Sequence, residues 1–222
     1  MRISQCRSCH SKKIKEVFDL GYQKLSGIFP KSKNQNNIPS GSLAMVLCLN
    51  CKLLQLKNSF DAEIMYGVNY GYMSSLNKSM LQHLHNKSNN LKKIMNLYKG
   101  DLIVDIGSND GSFLSFFSNK FTLVGIDPTI KKLGKYYRKD IKKFPNFFKK
   151  DLILKKFFKK AKLITSISMF YDLEQPVKFA EDIYDVLHDN GLWHLEQSYM
   201  PMMLKNNSYD TICHEHLEYY SL

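Results

Sequence analysis

Two aspartates flank two glycines within Leu102–Leu114, in the order Asp105-Ile-Gly107-Ser-Asn109-Asp110-Gly111. An apolar run leads in and a helix-like pattern follows. The segment therefore reads as a buried strand, a tight turn and the start of a helix. Open α/β sheets bind nucleotide-like ligands at such a place. A pyrophosphate wants bare backbone N–H groups and a positive helix end, and two carboxylates would repel it. They suit a ligand with positive charge, such as the sulfonium and ammonium of S-adenosylmethionine (SAM). The chemistry indicated is methyl transfer before hydride transfer. Asp127 ends the next apolar run, about 20 residues past the turn, where an acid binds ribose hydroxyls. Capping a helix before Pro128 is the other role open to Asp127. The joint occurrence of turn and acid favours ribose.

Four cysteines form two pairs, Cys6-x-x-Cys9 and Cys48-x-x-Cys51. Each pair puts two thiolates on one tight turn and suits two corners of a tetrahedral zinc site. A disulfide framework is the alternative, and a reducing cytosol disfavours it. A thioredoxin-like motif needs a βαβ pattern beside one pair, and none is present. A four-sulfur zinc site has no open position, so it folds the chain and does no chemistry. His10 could compete as a ligand or lie on the surface.

Near the other end stands His214-Glu215-His216. It lacks the H-E-x-x-H spacing that puts two histidines on one helix face. Metal binding and a structural role remain open. Acid–base work is favoured, because a histidine beside a carboxylate is a natural proton acceptor near neutral pH. Tyr66, Tyr70 and Tyr72 either pack between domains or reach the ligand. His83 and His85 read as helix-surface residues.

The elements that must position these groups alternate from residue 101 onward. Strands are expected at Leu102–Ile106, Phe121–Ile126, a short run ending at Asn146–Phe148, Leu163–Ser168 and Gly191–Gln197. Helices are expected from Ser112 and over Pro176–Leu187, with a helix at Asn77–Leu97 ahead of the sheet. The pattern predicts an α/β fold with a parallel, Rossmann-like sheet of about five strands. Residues 1–60 form a small zinc-binding domain, with short strands at Leu43–Leu47 and Leu53–Leu56 and a polar loop at Lys31–Ser42. Residues 61–99 form a tyrosine-rich linker and helix, and residues 100–222 the ligand-binding domain.

The formal charge of +12 invites a nucleic-acid partner. Only Arg2, Arg7 and Arg138 are arginines, the usual readers of phosphates and bases. The lysine pairs read as a solvated surface, or as a weak attraction to acidic partners such as nucleotide-linked substrates. No apolar run is long enough to span a bilayer and no signal region opens the chain. A cytoplasmic location is expected.

Together these motifs resemble the SAM-dependent sugar C-methyltransferases, class I methyltransferases acting on nucleotide-linked hexoses. The cysteine pairs look like that family's zinc-binding domain. The 66–75 segment, with Leu81-Gln-His83, looks like its connecting segment. Asp105–Gly111 looks like its SAM turn, and Gly125-Ile-Asp127-Pro128 like its ribose motif. Gln197–Pro201 and Cys213–His216 look like its active-site signature.

The resemblance implies SAM and structural zinc as cofactors. It implies Asp105, Gly107, Asn109, Asp110, Gly111, Asp127, Phe148 and Ser168 as SAM-binding residues, and Cys6, Cys9, Cys48 and Cys51 as zinc ligands. In that family a deprotonated carbon beside a sugar ketone attacks the SAM methyl. His216 matches the general base, with Glu215 orienting it or stabilising its charge. Tyr72 or Tyr70 would contact the sugar, and His214 completes the catalytic set. Cys213 stands where some members carry a tyrosine, which opens O-methylation as an alternative. The family continues into a further C-terminal domain, so its fifth strand would here be an exposed edge. The expectation is a fragment, a truncated remnant, or half of a split enzyme completed by a second chain.

Overall fold

Residues 1–30, 32, 37–67 and 70–221 are described by the computed structural model. Five residues of the polar loop read at Lys31–Ser42, and two residues of the 66–75 segment, lie outside the described residues. In chain order the elements are β1 (Ile14–Lys24), β2 (Ser40–Cys48), β3 (Leu54–Leu56), α1 (Ala62–Tyr66), α2 (Lys78–Ile94) and β4 (Leu102–Ile106). There follow α3 (Ser112–Ser115), β5 (Thr122–Ile126), α4 (Ile130–Leu133), β6 (Lys142–Phe144), α5 (Lys150–Phe157) and β7 (Ala161–Ile167). The chain closes with α6 (Pro176–Val186), β8 (Leu187–Glu196), α7 (Met200–Lys205) and β9 (Glu218–Tyr219).

The chain folds into two compact units, and neither is continuous in sequence. The cysteine unit gathers Met1–Gly71, Ser168–Phe179 and Gln197–Leu222. The parallel-sheet unit gathers Tyr72–Ile167 and Ala180–Glu196. Compactness thus groups residues 197–222 with the cysteines, whereas the sequence reading places them in the 100–222 domain.

In the parallel-sheet unit the strand order is β6-β5-β4-β7-β8, all parallel. Strand β4 is central and buried at every position, which explains its unbroken apolar run. On either side of it the order runs in opposite directions, which creates a switch point at its carboxyl end. Leu84 and Leu91 of α2 pack with Phe113, Leu114, Phe117 and Leu163 in the core. Asn77 caps α2 by accepting from the Ser79 and Met80 N–H groups. The third strand lies earlier than the sequence reading put it. Edge strand β6 pairs with β5 through Lys142–Phe144, so Phe148 falls beyond it, just before α5. Edge pairing uses backbone groups and needs little apolar content, which makes it hard to read from composition.

In the cysteine unit an antiparallel sheet has the order β1-β2-β3-β9. Strand β1 has no counterpart in the sequence reading. Most of it is exposed, and two irregularities at Glu16/Phe18 and Asp19/Tyr22 break its alternation. Leu43, Met45, Leu56, Leu217 and Tyr219 form the core beneath the sheet. Among the described residues no helix is long and apolar enough to cross a membrane.

Candidate functional site

Three clusters carry chemistry. The first is built by two matching turns. His10 N donates to Cys6 O and Lys52 N donates to Cys48 O, both at 3.0 Å. Each turn ends on a left-handed residue, His10 at φ 56° and Lys52 at φ 65°. The four Sγ atoms lie within 4.8 Å of one another. Cys6–Cys51 and Cys9–Cys48 are each separated by 3.6 Å. Zn–S bonds of about 2.3 Å in a tetrahedron require S···S distances of about 3.8 Å, so this donor set fits zinc. Gln55 Nε2 and Asn50 Nδ2 point at Cys6 and Cys9 from 3.2 and 3.6 Å, the outer donors a thiolate site wants. His10 is an exposed turn residue and lies outside the four-cysteine cluster.

The second cluster is the glycine turn at the carboxyl end of β4. Gly107 and Gly111 adopt φ 75° and 77°, a conformation glycine reaches at no steric cost. Beneath the turn lies Tyr137, which sequence reasoning missed. A Cβ on Gly111 or on Gly125 would come within 2.7 Å of its ring. Its hydroxyl donates to Asn109 O at 3.0 Å and lies 2.7 Å from Ser108 Oγ. A glycine inside strand β5 was the signal available for this close approach.

Asp127 ties the turn to the end of β5. Its Oδ2 accepts from Asn109 N at 2.8 Å, and its Oδ1 accepts from Thr129 N and Oγ1 at 2.7 and 2.6 Å. The bonds to Thr129 close a local turn before α4, whose N-cap is Thr129 and not Asp127. Asn109 Oδ1 accepts from Ser74 N at 3.0 Å and Asp110 Oδ2 from Ser75 N at 2.8 Å, while Asn109 Nδ2 donates to Tyr72 O at 3.2 Å. The end of the tyrosine-rich segment is thereby strapped to the turn.

The carboxylates of the turn are engaged within the fold. Asp110 spends both oxygens on the Ser75 and Ser112 N–H groups. Asp105 is buried, and its Oδ1 accepts from Thr165 Oγ1 at 2.6 Å. Burial pushes Asp105 up to about 7, against the lowering effect of Thr165, and burial also raises Asp127. Asp105 is therefore less readily ionised than its residue type implies. A carboxyl that ionises near 4 when unfolded but near 7 when folded costs stability as pH rises between those values. The loss is bounded by roughly 4 kcal/mol. Asp105→Asn should therefore flatten the fall in stability from pH 4 to pH 8. Urea midpoints of both proteins across that range test this, and identical slopes would reject it.

The third cluster surrounds residues 213–216 in the cysteine unit. His214 is buried and fully engaged. Its Nε2 lies 3.2 Å from Gly41 O, its Nδ1 accepts from Ser26, and its ring meets Phe60 edge-on at 4.8 Å. These contacts hold both ring nitrogens of His214 within the cysteine unit. Glu215 accepts from Ser26 Oγ at 2.5 Å, and its carbonyl accepts from Tyr66 Oη at 3.3 Å. No direct bond joins it to His216 among the described contacts.

His216 Nδ1 lies 2.8 Å from Thr211 O, so it carries the proton and Nε2 keeps a lone pair. Its ring meets Tyr171 at 4.3 Å. Burial holds His216 below the usual histidine range, against the raising effects of the Thr211 carbonyl and Glu215. Asp172, the neighbour of Tyr171, was missed as well. Its Oδ1 is sealed from solvent without a hydrogen-bond partner. No local pattern marks it, because its surroundings come from three distant segments.

The remaining predicted residues are dispersed. Tyr70 lies against Tyr66, with ring centroids 5.5 Å apart. Tyr72 belongs to the parallel-sheet unit and contributes its carbonyl to the turn. Ser168 follows β7 with φ 54° and groups with the cysteine unit. His83, read as a surface residue, lies 2.9 Å from Glu196 at the carboxyl end of β8, and Lys87 pairs with the same carboxylate.

Comparison with known proteins agrees with this division of motifs. Residues 6–66 match the family described as "Putative zinc binding domain". Residues 81–222 match the family described as "Methyltransferase domain". The C-methyltransferase NovU of Streptomyces niveus is 27% identical over 224 residues, which cover 99% of this chain and 53% of NovU. The chain thus spans about half the length of the curated relative it matches. Among solved structures, the plantazolicin methyltransferase BpumL with a pentazolic analogue and SAH aligns with a TM-score of 0.44 and 17% identity. That alignment covers 58% of this chain and 50% of BpumL. A Haloferax volcanii complex of the Trm112 activator with a methyltransferase aligns with a TM-score of 0.49 and 17% identity, covering 63% of each chain.

Proposed function

The chain belongs to the methyltransferase-domain family, and from that premise we propose that it methylates a carbon of a nucleotide-linked keto-hexose, using SAM as donor and a structural zinc ion as staple. The observation that carries the C-methylation reading is His216. Its Nδ1 proton is committed to Thr211 O, which leaves Nε2 free to take a proton from carbon. NovU, a C-methyltransferase by name, supports the same class.

Bound SAM supplies an activated methyl group, so the protein needs only to bind, orient and deprotonate. In this reading the glycine turn, held open by Gly107 and Gly111 and braced by Tyr137, receives the donor. Asp127 Oδ2 has lone-pair capacity left for a ribose hydroxyl after accepting from Asn109 N. Phe148, just before α5 in the same unit as the turn, is proposed to add to the donor site. His216 takes the proton, Glu215 stabilises the resulting charge from nearby, and Tyr70 and Tyr72 serve the sugar.

Asp127→Ala is expected to weaken SAM binding about 10- to 100-fold, the worth of one hydrogen bond to a charged group. Asp127→Asn, which retains an acceptor, should lose less. Calorimetric titration of SAM checks both, and unchanged affinity in Asp127→Ala would reject the ribose assignment. Product NMR with a panel of nucleoside-diphosphate keto-hexoses separates a C-methyl from an O-methyl group.

A further inference from the structure

We propose that Tyr66 and Asp172 form an oxyanion site that receives the substrate's carbonyl oxygen while His216 removes the neighbouring proton. The inference rests on the keto-hexose reading above and extends it to two residues with no assigned role.

The geometry comes from three segments of the cysteine unit. Tyr66 is the last residue of α1, and its hydroxyl reaches Glu215 O and the Asp172 carboxyl. Asp172 sits on a single helical turn, Phe170–Asp172, held to the 213–217 segment by Leu217 N donating to Tyr171 O at 2.9 Å. Tyr171 meets the His216 ring at 4.3 Å. The base and the proposed oxyanion donors are therefore fixed by the same short contacts. Asp172 Oδ1 is sealed and unpartnered. A sealed polar atom without a partner costs about 1–3 kcal/mol, a cost that a ligand hydrogen bond would relieve.

The ionisable groups facing Asp172 are Tyr66, Glu215, Glu218, Cys213 and Tyr219, and none of these is a cation. Burial first, then Glu215 and Glu218, push Asp172 well above the carboxylate range against the lowering bond from Tyr66, a direction that favours the protonated, donating form. Burial first, then Asp172, Tyr70 and Glu215, hold Tyr66 well above the ordinary phenol range, so it keeps its single proton, which would pass from the long 3.3 Å bond to Glu215 O onto the substrate oxygen. A tyrosine beside a neutral aspartic acid is an established way to stabilise an enolate in an apolar site.

The balance of the step is simple. The C–H bond beside the ketone breaks, its proton goes to His216 Nε2, and its electron pair moves onto the carbonyl oxygen between Tyr66 and Asp172. The carbon then forms a bond to the sulfonium methyl, and the broken S–CH₃ bond leaves its pair on sulfur.

Two measurements test the assignment. Infrared difference spectra between the wild-type chain and Asp172→Asn at pH 7 should show the loss of a protonated carboxyl. Loss of an ionised carboxylate instead would overturn the proposal, whatever the substrate. Proton–deuteron exchange beside the ketone, followed by NMR on nucleoside-diphosphate keto-hexoses without SAM, reads enolate formation alone. Tyr66→Phe and Asp172→Leu should each slow this exchange about 10²-fold at unchanged substrate affinity, while Asp172→Asn, still a donor, should retain most of it. Full exchange in both Asp172→Leu and Tyr66→Phe would also overturn the proposal. Absence of exchange in the wild-type chain would count against the keto-hexose reading, and the infrared result would still decide the state of Asp172.

Discussion

His216→Ala loses methyl transfer by about 10²–10⁴-fold, the range a positioned general base supplies, while SAM affinity stays at the wild-type value. The split follows from the fold. His216 lies in the cysteine unit and the glycine turn lies in the parallel-sheet unit, so removing the imidazole leaves the hydrogen bonds of the turn intact. A fall in SAM affinity equal to the fall in rate would show that the histidine is structural.

The pH profile adds a second readout. A base must be neutral to act, so kcat/KM falls as pH drops through the pKa of the base. Burial holds His216 below its ordinary 6.5, which places the acidic limb at lower pH than a free imidazole would give. Thr211 contributes only its carbonyl, and no substitution of its side chain removes that bond. A limb above 6.5 would point to another base.

Removal of zinc should unfold the cysteine unit. Apparent binding energies for four-ligand structural zinc run to about 10–16 kcal/mol, more than the whole stability of a small domain. The unit's apolar burial is divided among small clusters: Cys6, Cys48 and Leu53 at the metal ligands, Leu25, Ile28 and Met65 apart from them, and the five residues beneath the sheet. They bury too little apolar surface to hold the fold alone. A strong chelator, or Cys6→Ser, is expected to abolish amide protection in β2, β3 and β9. Strands β4, β5 and β7, with their own core, should stay protected. Hydrogen exchange read by mass spectrometry resolves the two. Protection that survives in β3 and β9 after the metal is stripped would overturn the assignment.

What could be read in the sequence was local. Two cysteine pairs, a glycine turn between an apolar run and a helix, and an acid at the end of the next strand are short-range patterns, and each lies where its spacing places it. Strand β1 was missed because its exposed residues and bulges erase the alternation that would mark it. Tyr137 and Asp172 were missed for another reason. Tyr137 acquires its role from Gly111 and Gly125, and Asp172 from Tyr66 and Glu215, through contacts that only the folded chain creates. The carboxylates of the turn show the same limit. Their number could be counted, but the ionisation of Asp105 and Asp127 depends on burial set against hydrogen bonds from Thr165, Thr129 and Asn109.

Strand β9 pairs with β3, so Leu54 meets Tyr219 across most of the length of the chain. The metal ligands are all present once Cys51 has been made, yet the sheet they anchor gains its fourth strand only after the whole parallel sheet has been synthesised. Closing so long a loop is slow, and domains otherwise begin to fold from the N-terminus during synthesis. Until then one edge of β3 offers unpaired backbone to any passing strand. Early metal capture would hold this half-built sheet in register on the ribosome, and a cell short of zinc should accumulate the protein first as aggregate.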